Sequence, residues 1–454
     1  MPQSSSDVAF RQDVPPGLTI RVDVSVLPVV PSGGFVALRL LVRLSPQRAR
    51  LLKHLANGIA MNIFFSVGEP SGDQHAAHLM QELKARRPGL RFCGFGGPQM
   101  EQAGLDSLFR LTNLAVMGFF KVIPLLFKFY RIVKQAERYF DDHKPDAVIL
   151  VDFPGFNWWI ARKAKVRGIP VFYFLPPQLW AWGSWRVERV RKFVDHVITA
   201  LPFERDWYEK RGIRVDYVGH PFFDEIGNHV LDDRFVSLWK NRRSHTIAVL
   251  PGSRSQEVGR CWPLMIQVLK KLYARHPQAT FIVACYRDSH RRRCLQQLLI
   301  EAPTIPVQFF VGKTPEIIEA ADCALMVSGS VSLELMARKT PAVVLYRVSR
   351  VTGILGDLFL QCPFITLPNL IAGREVMPEF LSVGNPGNVI TSITDVLDRW
   401  IRLPEERQRA TNDLLDASEG FIDGGAIQKC AGIILEKLPM TASSAAGDTS
   451  AKAA

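Results

Sequence analysis

The sequence predicts an α/β protein with two doubly wound, parallel-sheet domains, and three observations carry that prediction. Short apolar runs alternate with longer helical patterns: IFFSV, RFCGF, AVILVD, VFYFL, HVITA and VDYVG, then TIAVL, ATFIVAC, VQFFVG, CALMVS and AVVLY. Runs of this kind suit strands buried on both faces, and their alternation with helices argues parallel sheets. The stretch IFFSVGEPSGDQ…LMQELKARRPGLRF is echoed by IAVLPGSRSQEV…MIQVLKKLYARHPQATF, each a strand, glycine elbow, serine cap, helix, proline and second strand. Between the two units, FFDEIGNHVLDDRFVSLWKNRRSH is polar and helical without a strand signal.

The expected organisation is an extension over 1–60, one domain over 61–225, a second with terminal helices over 226–438, and a tail over 439–454. Met61 opens directly into the first strand, so residues 1–60 read as disordered or untranslated. The small, polar tail reads as disordered. A chain of 454 residues, 47% hydrophobic and 22% charged, can bury sizeable cores. Its net charge of +13 favours an anionic partner. Nucleic acid is not expected, because there is no zinc-finger spacing, RNP-like motif or concentrated basic tail. The seven cysteines are scattered without a CxxC and read as structural thiols in a reducing compartment.

In the first elbow, Gly68 permits a tight turn and Pro70 keeps Glu69 out of the helical region. Ser71 followed by Gln74 reads as a capping box, with the helix running to about Arg87. Glu69 and Asp73 then stand at a strand's carboxyl end, where open α/β sheets bind ligands. Acids that merely complement the helix dipole are the other explanation.

Further on, VMGFFKVIPLLFKFYRIVKQAERYF mixes apolar residues with cations, and Lys121, Pro124 and Lys128 break it as a membrane span. On a helix, Leu125, Leu126, Phe129 and Ile132 share one face, whereas Lys128, Arg131 and Lys134 fall largely on another. Phe119, Phe120, Ile123 and Phe127 cannot all face inward with the first set. The segment is therefore expected on an anionic membrane surface, against the commoner alternative of a helix packed on the sheet.

The second elbow, PGSR, pairs Ser253 with Gln256 as a cap signal and adds Arg254, a fork suited to phosphate. In SGSVSLE, Ser328, Gly329 and Ser330 precede a helix with Glu334 near its first turn. A glycine there lets a diphosphate approach, and the carboxylate can accept from ribose hydroxyls. Two such helix starts in one domain point to a nucleotide diphosphate. There is no Walker loop, G-x-G-x-x-G, G-x-S-x-G or Asp-x-Asp pair. His75 and His78 share a helix face without a third ligand, so no metal site is expected.

The segments VGEPSGD, GFGGPQM, LAVMGFFKVI, VDFPGFN, LPPQLWAW, PFERDWYEKRGI, YVGHPFFD, LPGSR, SGSVSLE and LPNLIAGREVMPEFL follow one another as in lipid-A-disaccharide synthases. The chain resembles that family over roughly residues 61–435. The resemblance implies a GT-B glycosyltransferase, two Rossmann-like domains facing across a cleft. The implied reaction joins UDP-2,3-diacylglucosamine to 2,3-diacylglucosamine 1-phosphate, giving a β-1,6-linked disaccharide 1-phosphate and UDP. It implies no metal or other cofactor, and a peripheral location on the cytoplasmic face of the inner membrane. The implied partners are the two lipid substrates, an anionic inner-membrane surface and a second copy of the chain.

Carried over residue by residue, Glu69, Ser71, Asp73 and Asn157 would hold the acceptor. Ser253, Arg254, Gly329, Ser330, Glu334, Asn369 and Arg374 would hold UDP, and Phe119, Phe120 and Phe127 would meet acyl chains. Many relatives read Asp-x-Pro-Asp-Phe-Asn where this chain has VDFPGFN, so Gly155 stands where a favoured candidate base would be. Either Asp152 or Glu69 then takes that role, with Arg254 opposite, or the role was never fixed to that position; a weakened or redirected transferase is the alternative. A UDP-sugar epimerase of the same fold and a non-catalytic lipid-binding paralogue are the alternatives.

Overall fold

The computed structural model describes residues 61–115, 122–348, 362–422 and 424–438. The expectations for residues 1–60, for Phe119 and Phe120, and for the tail lie outside them.

The first half is a seven-stranded, all-parallel sheet in the order β3-β2-β1-β4-β5-β6-β7. Its strands are β1 (Asn62–Val67), β2 (Arg91–Gly96), β3 (Leu105–Arg110), β4 (Ala147–Val151), β5 (Val171–Phe174), β6 (His196–Thr199) and β7 (Val215–Tyr217). The second half is a six-stranded parallel sheet in the order β10-β9-β8-β11-β12-β13. These are β8 (Thr246–Leu250), β9 (Thr280–Cys285), β10 (Val307–Val311), β11 (Cys323–Met326), β12 (Ala342–Val348) and β13 (Glu379–Val383). The predicted strands all form. β3 and β13 were not expected; each is an edge strand, half solvated, and lacks a continuous apolar run.

In both sheets the strand order reverses beside the first strand of the half. β1 lies between β2 and β4 with Val67 opposite Val151, and β8 lies between β9 and β11 with Leu250 opposite Met326. Such switch points form crevices at the carboxyl ends of strands. GEPSGD and Asp152 follow β1 and β4, and PGSR and SGS follow β8 and β11, so the motifs singled out in the sequence gather at the two crevices.

The helices used below are α1 (Pro70–Arg86), α2 (Val122–His143), α3 (Pro154–Val166), α4 (Val187–Phe193), α5 (Pro202–Glu209), α6 (Pro221–Asn228), α7 (Ser255–Arg275), α8 (Asp288–Glu301), α9 (Val331–Ala337), α10 (Leu367–Ala372) and α11 (Ala426–Lys437). α2, α3 and α4 bury Ile132, Phe140, Ile160 and Val190 on one face of the first sheet. α1 covers the other face through Leu79, Met80 and Leu83.

Chain order misassigns two helices in the expected domains. α11 lies within 226–438, yet its Ile427, Cys430, Ala431 and Ile434 join α1 in the first sheet's core. Its Lys437 pairs with Asp216 at the end of that sheet. α6 straddles the expected 225/226 boundary and sends Phe223 into the second sheet's core. Each helix follows its apolar stripe to the nearest unfilled sheet face, which a linear boundary cannot express.

Candidate active site

The first crevice is built around a close approach. After β1, Glu69 (φ −97°, ψ 146°) is the residue that enters α1, and Pro70 takes the first helical position, where its missing N–H costs nothing. No side chain caps this helix, so Ser71 is an exposed first-turn residue rather than the expected cap. Gly68 is required by packing: a Cβ there would lie 2.3 Å from the Phe153 ring. That ring comes from the turn after β4, where Asp152 (φ 48°) and Phe153 (φ 47°) are both left-handed. Two such non-glycine residues in succession store strain, about 1–3 kcal/mol each, and persist only if their surroundings over-determine them. Here the Asp152 carbonyl accepts from the Tyr173 hydroxyl at 2.9 Å and from Asn157 Nδ2 at 2.7 Å. The Asp152 carboxylate accepts from the Phe153 N–H at 2.8 Å.

Electrostatically the crevice favours retained protons. Burial raises the Glu69 pKa, the Asp152 charge raises it further, and Arg254 from the second half acts against both. Burial also raises the Asp152 pKa, against the Phe153 N–H, His75 and Arg254. A third carboxyl, Glu204 in α5, is buried under Trp180, whose Nε1 donates to it at 2.9 Å. Burial pushes its pKa up to about 7, and the Asp152 charge adds to that shift. Sequence reasoning missed Glu204, because a glutamate just inside a helix start reads as a dipole partner. Only the fold of LPPQLWAW over it removes the water. His220 of the GHP segment was also missed. It is kept neutral by burial, with a pKa of about 3, and its Nδ1 accepts from the Phe222 N–H.

The second crevice presents charge openly. α7 begins at Ser255, so Arg254 rather than Ser253 is the residue that enters it. The Arg254 side chain is 77% exposed and, among the described residues, pairs only with Glu257, at 3.0 Å. Ser253, Gly329 and Ser330 are exposed, and a Cβ on Gly329 would meet nothing within 4 Å, leaving room for a ligand. Glu334 in α9 is buried and paired with Arg338 at 3.2 Å, and burial raises its pKa. Arg374 pairs with Asp413 at 2.7 Å on an exposed surface.

Glu69, Asp152 and Arg254 are thus brought into one electrostatic neighbourhood. Three other expected ligands are not free for substrate. Asp73 is buried, and its carboxylate accepts from the N–H groups of Gly97, Gln99 and Met100, capping the short helix Pro98–Gln102. Asn157 is fully buried and ties β1 to β4. It donates to the Ser66, Val151 and Asp152 carbonyls and accepts from Ser66 Oγ. Asn369 in α10 donates to the Met377 carbonyl and Glu379 and accepts from the Val376 and Met377 N–H groups, closing its own loop. A buried polar side chain must be satisfied, and these three are satisfied by backbone. Of the expected acyl contacts, Phe127 is 69% exposed.

The model of the family described as lipid-A-disaccharide synthetase matches residues 63–391. A lipid-A-disaccharide synthase from Myxococcus xanthus is 35% identical over 379 residues, 83% of this chain and 97% of that protein. Among solved structures, the UDP-GlcNAc 2-epimerase of Neisseria meningitidis overlays with a TM-score of 0.56 at 13% identity. That match covers 83% of this chain and 99% of the epimerase chain. The calicheamicin glycosyltransferase CalG4 overlays at 0.50 and 15% identity, covering 84% and 100%. Those two likenesses concern the fold alone, which is of GT-B type. On the family match and the 35% identity, the chain belongs to the lipid-A-disaccharide synthase family.

Proposed function

We propose that the chain transfers 2,3-diacylglucosamine from its UDP derivative to 2,3-diacylglucosamine 1-phosphate, with the base on the first crevice and the leaving-group charge met on the second. The observation that carries this assignment of roles is the grouping of Asp152 and Glu69 with Arg254. Asp152 removes the proton from the acceptor's 6-hydroxyl. That oxygen attacks the donor's anomeric carbon as the bond to UDP breaks, inverting the centre, and the electron pair leaves on the diphosphate. A carboxylate with a raised pKa is a better base near neutral pH than an ordinary one. Glu69, whose pKa is raised by burial and by the Asp152 charge, orients the hydroxyl. Arg254 and the amide groups at the start of α7 meet the developing charge, so no metal enters any step. Glu334 holds the ribose. Gly155 takes no part: a Cβ there would meet nothing within 4 Å, and the nearby Asp152 does the work of the carboxylate its relatives carry.

The same reading places the protein at a lipid surface. No helix among the described residues is long and apolar enough to cross a membrane. Helices α2, α3 and α4 cover one sheet face, and Phe127 and Tyr130 on α2, Trp159 on α3, and Trp182 and Trp185 just before α4 are exposed. Lys128, Arg131, Arg162 and Arg189 are exposed among them. Aromatic rings interleaved with cations suit the interface of an anionic leaflet, which is where diacylated substrates reside.

The test is to incubate the purified protein with both lipids, without added metal. UDP and disaccharide should appear in equal amounts. An epimerised UDP-sugar, or no product, overturns the proposal.

A further inference from the structure

Beside Arg254, the loop after β9 brings in a second arginine that no carboxylate among the described residues neutralises. Arg287 Nε donates to His290 Nε2 at 2.9 Å, and Arg287 Nη2 donates to Ser255 Oγ at 3.1 Å. Ser255 Oγ and His290 Nε2 close the triangle at 3.0 Å. His290 is only 2% exposed, whereas Arg287 lies at the surface. A guanidinium can only donate, so the buried imidazole accepts through Nε2 and is neutral. The fork is held by two uncharged acceptors, and Nη1 makes no hydrogen bond among the described residues.

The surrounding charges are unbalanced. Asp288 occupies Arg291 and Arg292, at 2.7 and 2.9 Å. Arg293 donates to the Ser255 carbonyl at 3.4 Å and has no carboxylate partner among the described residues. Arg254, Arg287 and Arg293 therefore converge on the start of α7, with Glu257 as their only paired carboxylate among the described residues. Like charges gathered in this way repel unless an anion joins them. A pre-oriented guanidinium edge matches the oxygens of a phosphate group.

We propose that Arg287 is a phosphate-binding residue of the cleft and that His290 and Ser255 are its positioning residues. This rests on the reading that Arg254 faces the donor diphosphate. The phosphate can come from that diphosphate or from the acceptor's 1-phosphate, and the two sources can be told apart.

Titrate the full-length protein and its Arg287→Ala variant with UDP and, separately, with glucosamine 1-phosphate. The variant should lose about tenfold or more in affinity for one of them, a difference of about 1.4 kcal/mol. Loss for UDP assigns the diphosphate, and loss for glucosamine 1-phosphate assigns the acceptor. These titrations need no turnover, so they remain informative if the transferase assignment fails. In turnover, the KM of the matching lipid should rise while kcat stays within about threefold. His290→Ala should reproduce part of that KM rise, and His290→Gln, which keeps an acceptor oxygen, should restore it. Unchanged affinity for both probes in Arg287→Ala, with normal folding, overturns the proposal. So does a His290→Gln variant no better than His290→Ala.

Discussion

The two elbows, GEPSGD after β1 and PGSR after β8, share a layout of strand, glycine, turn and helix start, yet the fold uses them oppositely. At the first, Asp73 is spent on three backbone N–H groups, Glu69 is half-buried, and the charge of Asp152, just after the adjacent strand, acts on it. At the second, Arg254 stands 77% exposed, paired with Glu257. One elbow is desolvated and so governs protons; the other stays wet and keeps a permanent charge available for an anion. The difference lies in what packs on each turn. Phe153 presses against Gly68, whereas Gly329, beside the second elbow, has nothing within 4 Å of a Cβ.

Replacing a residue on each side breaks this comparison in different ways. The largest effect is expected from Asp152→Asn, with a rate loss of about 10²–10⁴-fold if it is the base. The acid limb of the wild-type rate profile should also lie above the ordinary carboxylate range, because burial raises the Asp152 pKa. Retained activity in Asp152→Asn, with the acid limb still raised, would move the base to Glu69, whose pKa burial also raises. Arg254→Ala comes next, at about 10²–10³-fold in kcat if it meets transition-state charge, with the fold intact because the side chain is exposed. A loss within threefold would mean that the second crevice does not carry the leaving group.

Asp73→Ala sharpens the contrast through stability. Orphaning three buried or partly buried N–H groups should lower unfolding free energy by about 3 kcal/mol in denaturant titrations. The surviving folded protein should keep its acceptor KM. A large KM rise without lost stability would return Asp73 to the substrate.

An effect of similar size is a pH dependence at Glu204. Its folded pKa of about 7 lies above the ordinary 4.5. Between those values the folded protein holds a proton that the unfolded chain has released, so stability falls as pH rises through the window. Glu204→Gln, which can still accept from Trp180, should flatten that fall. The gain at pH 8 over pH 5 should be on the order of 3 kcal/mol by thermal or urea unfolding. An unchanged pH profile would mean that Glu204 is hydrated.

Much of this was legible in the chain itself. The central strands are continuous apolar runs, and a strand buried on both faces leaves no other pattern. The elbows could be placed because glycine, proline and serine mark turns by their own backbone chemistry, and the motif order identified the family. The helix starts were read slightly wrong, at Ser71 and Ser253, because a hydroxyl near a helix start resembles a cap whether or not it bonds. Edge strands β3 and β13 escaped because solvent on one side allows polar residues.

What the tertiary structure alone decided was which polar residues remain available. Asp73 and Asn157 look like ligands in the sequence, but each is surrounded by backbone groups from segments that meet only on folding, and Asn369 is taken up by its own loop. Glu204 looks like a surface acid, but a loop more than twenty residues earlier buries it. The chain's last helix returns to the first sheet because its apolar face fits there. Local propensity depends on near neighbours and can be read along the chain. Desolvation and hydrogen-bond satisfaction depend on groups distant in sequence, so the protonation and reach of each site residue emerge only from the packed molecule.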